Sequence, residues 1–321
     1  MWKTILRRVL TMIPQIIVLS LIVFALGQMM PGDPFTGLIT PDMDPLVIAQ
    51  LREKHGLNKS IPEQYKDWVT NIITKGEFGQ SYTYKMPVRT LIGARASNTL
   101  WLSLLTLILT YLIAIPLGIY SGRYNNSRFD KGVIIYNFIS YAIPTFIFAL
   151  ILLAIFGYKL GWFPTTGSVE VGVQKGTFAY VLSKLHHMIL PAITAAILRT
   201  TGTIQYLRNE VIDAKTQDYV KTARSKGVPI NKVYSQHIFR NSLLPIAAFL
   251  GFTITGLLGG SIFIETIFSY SGMGELFISS ITSRDYAVMN TLVLLFGVLT
   301  LFGSLLSDII MTIVDPRIRI E

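Results

Sequence analysis

Six long apolar runs dominate the sequence and limit what the chain can fold into. Each has 18 to 27 residues and few charged side chains, and a helix needs about 20 mainly apolar residues to cross a membrane. We therefore predict an all-α polytopic membrane protein with six transmembrane helices. The predicted spans are residues 9–30, 98–120, 133–158, 188–205, 243–268 and 288–314.

Composition supports this class and excludes others. Of the 321 residues, 51% are apolar and 14% are charged, whereas soluble proteins have about a quarter charged residues. The net charge of +10 is therefore interpreted by its position relative to the membrane, not as affinity for nucleic acid. The absence of cysteine excludes disulfides, thiol nucleophiles and cysteine-ligated metals. No P-loop, zinc-protease or serine-hydrolase motif occurs, so we expect no catalysis, metal or cofactor in this chain.

The distribution of Lys and Arg orients the predicted helices. Six spans place both termini on one side of the membrane. With that side cytoplasmic, the inside segments 1–8, 121–132, 206–242 and 315–321 hold 15 Lys or Arg in 64 residues, against 12 in the 115 outside residues. The positive-inside rule therefore predicts cytoplasmic termini. The first run exceeds a signal-peptide core and lacks a small-residue cleavage site, so we expect it to be retained.

The outside segment, residues 31–97, has helix signals of its own. Asp44 and Pro45 have the form of an N-cap and a first helical residue. The sequence SIPE at 60–63 has capping-box spacing, and apolar residues at helical spacing follow it as far as Gly76. We predict a helical extracellular insertion, which is either a platform for an external partner or a cap over the helix bundle.

Residues 218–245 form a basic, polar stretch between two apolar runs. Its first part, DYVKTARSK, is predicted to be a short helix with a narrow apolar stripe. Gly227 and Pro229 follow it and are typical of a helix end. The positive charges favour either a topology signal held in the cytoplasm or a docking surface for a cytoplasmic partner.

This stretch resembles the EAA loop of ABC-transporter permeases, in the form found in the oligopeptide/dipeptide permease family. In that family the short helix is a coupling helix that sits in a groove of the ATP-hydrolysing subunit. The general pattern has Glu-Ala-Ala where this chain has Lys221-Thr222-Ala223, so the acidic contact is absent here. The resemblance makes the following residues candidates for ATPase coupling: Tyr219, Val220, Thr222, Ala223, Arg224, Lys226, Gly227, His237, Arg240, Asn241 and Pro245.

Further motifs extend the resemblance over almost the whole chain. PGDP at 31–34 resembles the first of the family's two permease subunits, and RDY at 284–286 and DPRIR at 315–319 match the family's C-terminal half. The family signature GG…E-x-x-F-x-x-PG-x-G is also present, with Ser271 in place of proline. It is carried by Gly259, Gly260, Glu265, Phe268, Gly272 and Gly274.

Three charged residues lie within or beside the predicted spans. Glu265 is either a residue that reaches the outer interface or one that lines the pathway or bonds a second subunit. Gly259, Gly260 and Asp308 are grouped with it as candidates for the pathway or a subunit interface. Arg199 either reaches towards the cytoplasmic interface or forms an ion pair or lines the pathway.

Small residues predict close helix packing. Ala114, Gly118 and Gly122 recur every four residues, a pattern that lets helices approach closely. Gly251 and Thr255 continue to Gly259 in the same pattern, and we expect that face to pack against a like subunit. Pro144 predicts a kink within the third span.

The resemblance implies a type I ABC importer permease bundle, oligopeptide permease B-like, in a bacterial plasma (inner) membrane. The implied partners are a second homologous permease, two cytoplasmic P-loop ATPases that hold ATP and Mg, an extracellular solute-binding protein, the peptide and membrane lipid. We divide the chain into residues 1–30, an insertion 31–97 and a core 98–321 with a coupling loop at 206–242.

Two alternatives remain open at this stage. One is a related importer for dipeptides, nickel chelates or another small solute. The other is an ion-coupled secondary transporter or channel that uses Glu265, Asp308 and Arg199.

Overall fold

The computed structural model describes residues 2–29, 50, 53 and 58–314. Within these ranges the chain is helical and has no strand, apart from one isolated bridge between Gln80 and Pro87. The motifs at 31–34 and 315–319 and the helix predicted from Asp44 lie outside the described residues.

The described helices vary widely in length, and three of them adjoin one of two π-helical segments, Leu153–Lys159 and Val233–Ile238. In chain order they are α1 (Trp2–Met29), α2 (Ile61–Lys75), α3 (Val88–Arg123), α4 (Arg128–Ala142), α5 (Thr145–Leu152), α6 (Phe178–Ala214), α7 (Asp218–Ser225), α8 (Ile230–Lys232), α9 (Phe239–Ser242), α10 (Leu244–Gly259), α11 (Ile262–Ile267), α12 (Met273–Thr282) and α13 (Tyr286–Val314).

Four of the described helices, α1, α3, α6 and α13, are long and apolar enough to cross a membrane. There is a fifth span only if α4 and the segment Thr145–Lys159, which begins with α5, are counted together as one bent span. Helix α10 has 16 residues, about 24 Å, which is shorter than a hydrocarbon core of about 30 Å. The all-helical membrane fold is thus confirmed, whereas the predicted count of six spans is not.

The predicted third span is broken rather than kinked. The segments Arg128–Ala142 and Thr145–Lys159 meet at 99°. Pro144 has no N–H to continue the helix, and its ring disfavours helical geometry at the residue before it. Ile143 accordingly has an extended backbone, with φ −86° and ψ 120°.

Helices α3 and α6 approach closely along the predicted small-residue face. A Cβ on Gly118 would lie 2.7 Å from the Leu207 Cβ, and a Cβ on Gly122 would lie 2.7 Å from the Val211 Cβ. Ala114, one turn earlier, is fully buried. The small residues therefore hold two helices of the same chain together, as the spacing predicts.

Helix α1 packs antiparallel to α13. Gly27 lies against Asn290 near one end, and Gly297 lies against Leu19 near the middle. At the other end, Arg8 Nε is 3.1 Å from Asp308 Oδ2. The start of α1 and the end of α13 are therefore on the same side of the bundle.

The glycine face of α10 packs within the chain, which corrects part of the sequence-based expectation. Gly251 lies directly against the backbone of Gly303 and Ser307 in α13, and Thr255 is in contact with Gly303. The predicted close packing is present, but its neighbour is α13 and not a like subunit. A Cβ on Gly259 would have no other described atom within 4 Å, so this end of the face is open.

Helix α2 confirms the predicted helix within the insertion. Glu63 accepts a hydrogen bond from the Ser60 backbone N–H at 3.0 Å, and the helix ends at Gly76 with φ +63°. On one side, Tyr65 bonds the Ser20 hydroxyl at 2.8 Å and stacks edge-on with Phe24 at 5.4 Å. The helix therefore lies against the C-terminal half of α1.

Candidate functional site

Helix α7, the predicted coupling helix, lies beside the C-terminal end of α6. Two of its residues, Val220 and Ala223, are 2% and 6% exposed. They share a buried apolar cluster with Val211 of α6 and with Val233 and Ile238 of the following π-helical segment. The three-residue spacing of Val220 and Ala223 places both on one face, so the predicted apolar stripe is what attaches α7 to the bundle.

The end of α7 follows the pattern predicted from Gly227 and Pro229. Gly227 has φ +72°, a conformation that is strained for other L-residues. Its N–H bonds the Arg224 carbonyl at 3.0 Å, and the Val228 N–H bonds the Ala223 carbonyl at 3.2 Å. This is a Schellman cap, which turns the chain back towards α6 and packs Val228 on the apolar cluster.

The outward face of α7 is basic. Asp218 and Lys221 form an exposed ion pair at 2.9 Å, so they offset one another. The Arg224 and Lys226 side chains are exposed and form no ion pair with the described acidic residues. The other exposed residues of this face are Tyr219, Thr222, Ser225 and Gly227.

The second half of the coupling motif folds back onto the first. A side-chain hydrogen bond joins Asn241 to Tyr219, and Asn241 Nδ2 donates to the His237 carbonyl at 2.7 Å. Burial raises the pKa of Tyr219, and the bond to Asn241 opposes that rise. Arg240 is exposed, and Pro245 is in the first turn of α10, where a missing N–H is tolerated.

A buried ion pair, which sequence reasoning missed, fixes the base of this loop. Asp130, in the first turn of α4, is fully buried and accepts hydrogen bonds from Arg208 Nε at 2.6 Å and Nη2 at 2.9 Å. It also accepts from the Ser121 hydroxyl and from the Asn126 N–H at 2.7 Å. The bonds from Arg208 hold the pKa of Asp130 well below its ordinary value, although burial opposes them.

Two further cations tie the α3–α4 turn to the coupling segment. Lys215 Nζ donates to the Arg123 carbonyl at 2.9 Å and to Asn125 Oδ1 at 2.8 Å. The Arg123 guanidinium donates to Asn231 Oδ1 at 2.8 Å and lies 4.5 Å from the ring centre of Tyr234. We refer to the five side chains that join these segments as the loop anchor: Ser121, Arg123, Asp130, Arg208 and Lys215.

Glu265, a candidate for the pathway or for a subunit interface, is buried inside the chain. It is 0% exposed. Its carboxylate accepts from the Thr99 hydroxyl at 3.0 Å and from the N–H groups of Gly274 and Glu275 at 2.6 and 3.3 Å. A Cβ on Gly260 would lie 2.5 Å from Glu265 Oε1.

The glycine signature is therefore explained by the space that this carboxylate occupies. Gly272 lies directly against Glu265 Oε2, and a Cβ on Gly274 would lie 3.0 Å from it. Phe268 is 2% exposed in an adjoining core cluster. Only residues without a side chain leave room for the carboxylate between α11, α12 and α3.

Asp285 of the RDY motif is likewise buried and hydrogen-bonded within the chain. It is 1% exposed and accepts hydrogen bonds from the Ser81 hydroxyl at 2.5 Å and the Thr83 N–H at 3.2 Å. It also accepts from the Val288 N–H at 3.4 Å, so it caps α13 and connects that helix to the outer segment.

The remaining charged candidates are separated in the structure. Asp308 pairs with Arg8, as described above, whereas the partners of Glu265 are Thr99 and the N–H groups at the start of α12. Arg199 lies on an exposed position of α6. The structure therefore does not bring Glu265, Asp308 and Arg199 together as an ion site. Among the described residues, no group of His, Asp or Glu is arranged to hold a metal ion.

Family models match nearly the whole chain. Residues 114–320 match the binding-protein-dependent transport system inner membrane component, and residues 1–103 match the N-terminal part of such membrane components.

Individual proteins give the same result. The oligopeptide transport system permease protein AppB of Bacillus subtilis is 39% identical over 98% of both chains. The glutathione transport system permease protein GsiC of Salmonella choleraesuis is 30% identical over 99% of both chains. The fold is similar to an inward-facing structure of the MetNI methionine ABC transporter, with a TM-score of 0.55, 15% identity and coverage of 71% of this chain and 97% of the other.

Proposed function

This chain belongs to the family of binding-protein-dependent transport system inner membrane components, and we propose that it is the permease subunit of an ATP-driven importer for short peptides. The cargoes named for its relatives, oligopeptides and glutathione, are both made of amide-linked amino acids. The expected machine contains a second permease, two cytoplasmic P-loop ATPases that hold ATP and Mg, and an external solute-binding protein.

The observation that supports coupling to an ATPase is that α7 has one buried apolar face and one exposed basic face. Its apolar face is fixed by Val220 and Ala223 in the bundle, while Arg224 and Lys226 are exposed on the other side. A partner groove with acidic residues would complement this surface, because opposite charges steer and orient association. Since Lys221 stands where the general pattern has Glu, we expect the groove's charges to differ accordingly.

The loop anchor gives a route by which movement of α7 would reach the membrane. The apolar cluster joins α7 to α6. The Asp130–Arg208 pair joins α6 to the start of α4, and Lys215 joins it to the end of α3. We infer that these elements move with α7 as one body when the ATPases close.

The side of the membrane also follows from this assignment. Docking to a cytoplasmic ATPase requires that α7 and the loop anchor face the cytoplasm. Because α3 and α6 cross from this end to the other, α2 and the segment near Asp285 then face outside, where they are available to a solute-binding protein. Cytoplasmic termini agree with the density of Lys and Arg in the inside segments.

Cysteine cross-linking tests the coupling surface. The chain has no natural cysteine, so Ser225→Cys, at the exposed end of α7, gives a single thiol. In the assembled complex we expect it to cross-link to a cysteine in the ATPase groove, with a yield that changes between ATP-bound and nucleotide-free states. An active complex that gives no such link in either state would contradict this docking surface.

Ser60→Cys provides a matched control. Ser60 is equally exposed but precedes α2 on the proposed outer side. It should give no ATPase link, and it should react with a membrane-impermeant maleimide added to intact cells. Ser225→Cys should react only after the cells are permeabilised, and the reverse pattern would contradict the orientation.

A further inference from the structure

A polar pocket of about 320 Å³ lies between α4 and α6, away from the α7 surface. Asn137 of α4 faces Thr201 and Gln205 of α6 across it, and Phe138 and Tyr141 contribute apolar walls. Arg208 of the loop anchor closes its cytoplasmic end, seven residues or about 10 Å along α6 from Thr201. The pocket is therefore in the cytoplasmic half of the bundle, adjacent to the ion pair that fixes the coupling segment.

Two buried polar atoms in this pocket lack partners. Asn137 is 5% exposed and Thr201 is 3% exposed, and neither Asn137 Oδ1 nor Thr201 Oγ1 has a hydrogen bond among the described residues. The neighbouring Thr200 hydroxyl, by contrast, bonds the Ile197 carbonyl at 2.6 Å. Buried polar atoms are nearly always paired, so these two have hydrogen-bonding capacity left for a group that enters the pocket.

The chemistry of the lining selects a neutral amide over a charged group. The free Asn137 oxygen accepts a hydrogen bond and therefore needs an N–H or O–H donor, while the Thr201 hydroxyl can donate or accept. No Asp or Glu lines the pocket to neutralise an ammonium group. The Arg208 charge is already neutralised by Asp130 at 2.6 Å, so a carboxylate would gain little from it.

We propose that this pocket binds a backbone amide of the peptide during its passage, with Asn137 accepting from the amide N–H and Thr201 donating to the amide carbonyl. This inference rests on the proposed peptide-import function. A site that bonds only the backbone is indifferent to side-chain identity. It would also place the peptide in contact with Arg208, so that binding of the peptide acts on the loop anchor.

Thiol protection tests the proposal in the complete, reconstituted complex. Thr201→Cys places a single thiol in the pocket, and Thr203→Cys places one on a neighbouring, partly exposed position of α6 outside the pocket lining. A tripeptide at a concentration equal to its dissociation constant should slow modification of Thr201→Cys by a small methanethiosulfonate about twofold, because half of the pockets are then occupied. It should leave the rate at position 203 unchanged.

Two peptides distinguish a hydrogen bond to the backbone amide from mere occupation of the pocket volume. A tripeptide N-methylated at its backbone amides cannot donate to Asn137 and should protect the thiol less than its parent. Equal protection by both peptides, or by neither, would overturn the proposal. Asn137→Leu should remove the difference between the two peptides, and Asn137→Gln should retain part of it.

Peptide uptake by the same preparation keeps this test distinct from the proposed function. If the Thr201→Cys complex takes up peptide but its thiol is modified at one rate with and without peptide, the pocket assignment is wrong and the importer assignment stands. If no peptide is taken up although the complex hydrolyses ATP with its binding protein present, the importer assignment itself fails, and this proposal fails with it.

Discussion

Breaking the Asp130–Arg208 pair should destabilise the chain unequally, depending on which partner is removed. The Asp130 side chain is 1% exposed and that of Arg208 is 18% exposed. Removing one member of a buried pair typically costs about 3–5 kcal/mol, because the other charge is left unpaired. In Arg208→Gln the unpaired group is the carboxylate, which cannot reach water, so we expect the full range of about 3–5 kcal/mol.

Asp130→Asn should be milder. The Asn side chain keeps the shape of the residue and can still bond Ser121, and the exposed fraction of Arg208 lets the guanidinium be partly hydrated. We therefore expect about 2–3 kcal/mol. At about 2 °C per kcal/mol for a chain of this size, Tm should fall by about 4–6 °C for Asp130→Asn and by about 6–10 °C for Arg208→Gln.

The assay is thermal unfolding of the purified complex in mild detergent, read alongside peptide-stimulated ATPase activity. The double variant, with Asn at 130 and Gln at 208, should recover part of the loss because no buried charge remains unpaired. Asp67→Asn, which removes the exposed pair with Lys59, is the matched control and should change stability far less than either buried substitution, because water screens an exposed pair. Equal losses in both single variants, or a double variant whose losses simply add, would refute this reasoning.

The same pair predicts how stability depends on pH. The pKa of Asp130 is lower in the folded state than its ordinary value of 3.8. Its contribution is therefore fully present above about pH 4 and is lost as pH falls through the lowered folded value. Wild-type stability should be insensitive to this group from pH 5 to 8, and the difference between wild type and Asp130→Asn should shrink only in stronger acid.

Further substitutions, two of them controls, test other parts of the account. Gly227→Ala should lower stability by about 1–2 kcal/mol through backbone strain alone, because φ is +72° and a Cβ there meets no atom within 4 Å; thermal unfolding measures it. Gly122→Val should prevent α3 from packing against α6, because even a Cβ would lie 2.8 Å from an α6 carbonyl. Gly132→Val is the control, since the space around its Cβ is open among the described residues. The yield of protein in the membrane should fall for Gly122→Val and stay normal for Gly132→Val. Glu265→Leu should cost at least about 1–3 kcal/mol for each N–H or hydroxyl left unpaired in the buried loop, and Glu265→Gln less, by thermal unfolding.

Local patterns in the sequence predict much of this architecture. The end of α7 at Gly227 and Pro229, the start of α2 at Ser60 and the close approach at Gly118 each depend on residues a few positions apart. Turn geometry, capping and helix periodicity act over the same short distances, which is why the sequence is informative there.

Features that depend on distant residues were predicted poorly. The burial of Glu265 is not evident from local sequence, because its partners, Thr99 and the Gly274 N–H, come from other elements. Gly251 was assigned to a like subunit because the sequence does not reveal that α13 lies beside it.

The loop anchor shows the same limit. Asp130 and Arg208 are 78 positions apart, and neither residue belongs to a motif. One signal was available: Asp130 is the only acid in the basic segment 121–132. A lone acid in such a loop favours pairing with a nearby cation, although the sequence does not specify which cation.

ATP-driven uptake in proteoliposomes tests the central claim most directly. The complex of this chain with its second permease and ATPases would be reconstituted with the binding protein on the outer side and ATP inside. The account predicts that labelled peptide accumulates against its gradient only when ATP is hydrolysed, and that an ion ionophore does not abolish the accumulation. Uptake that proceeds without ATP and collapses with the ion gradient would contradict the account and favour an ion-coupled transporter.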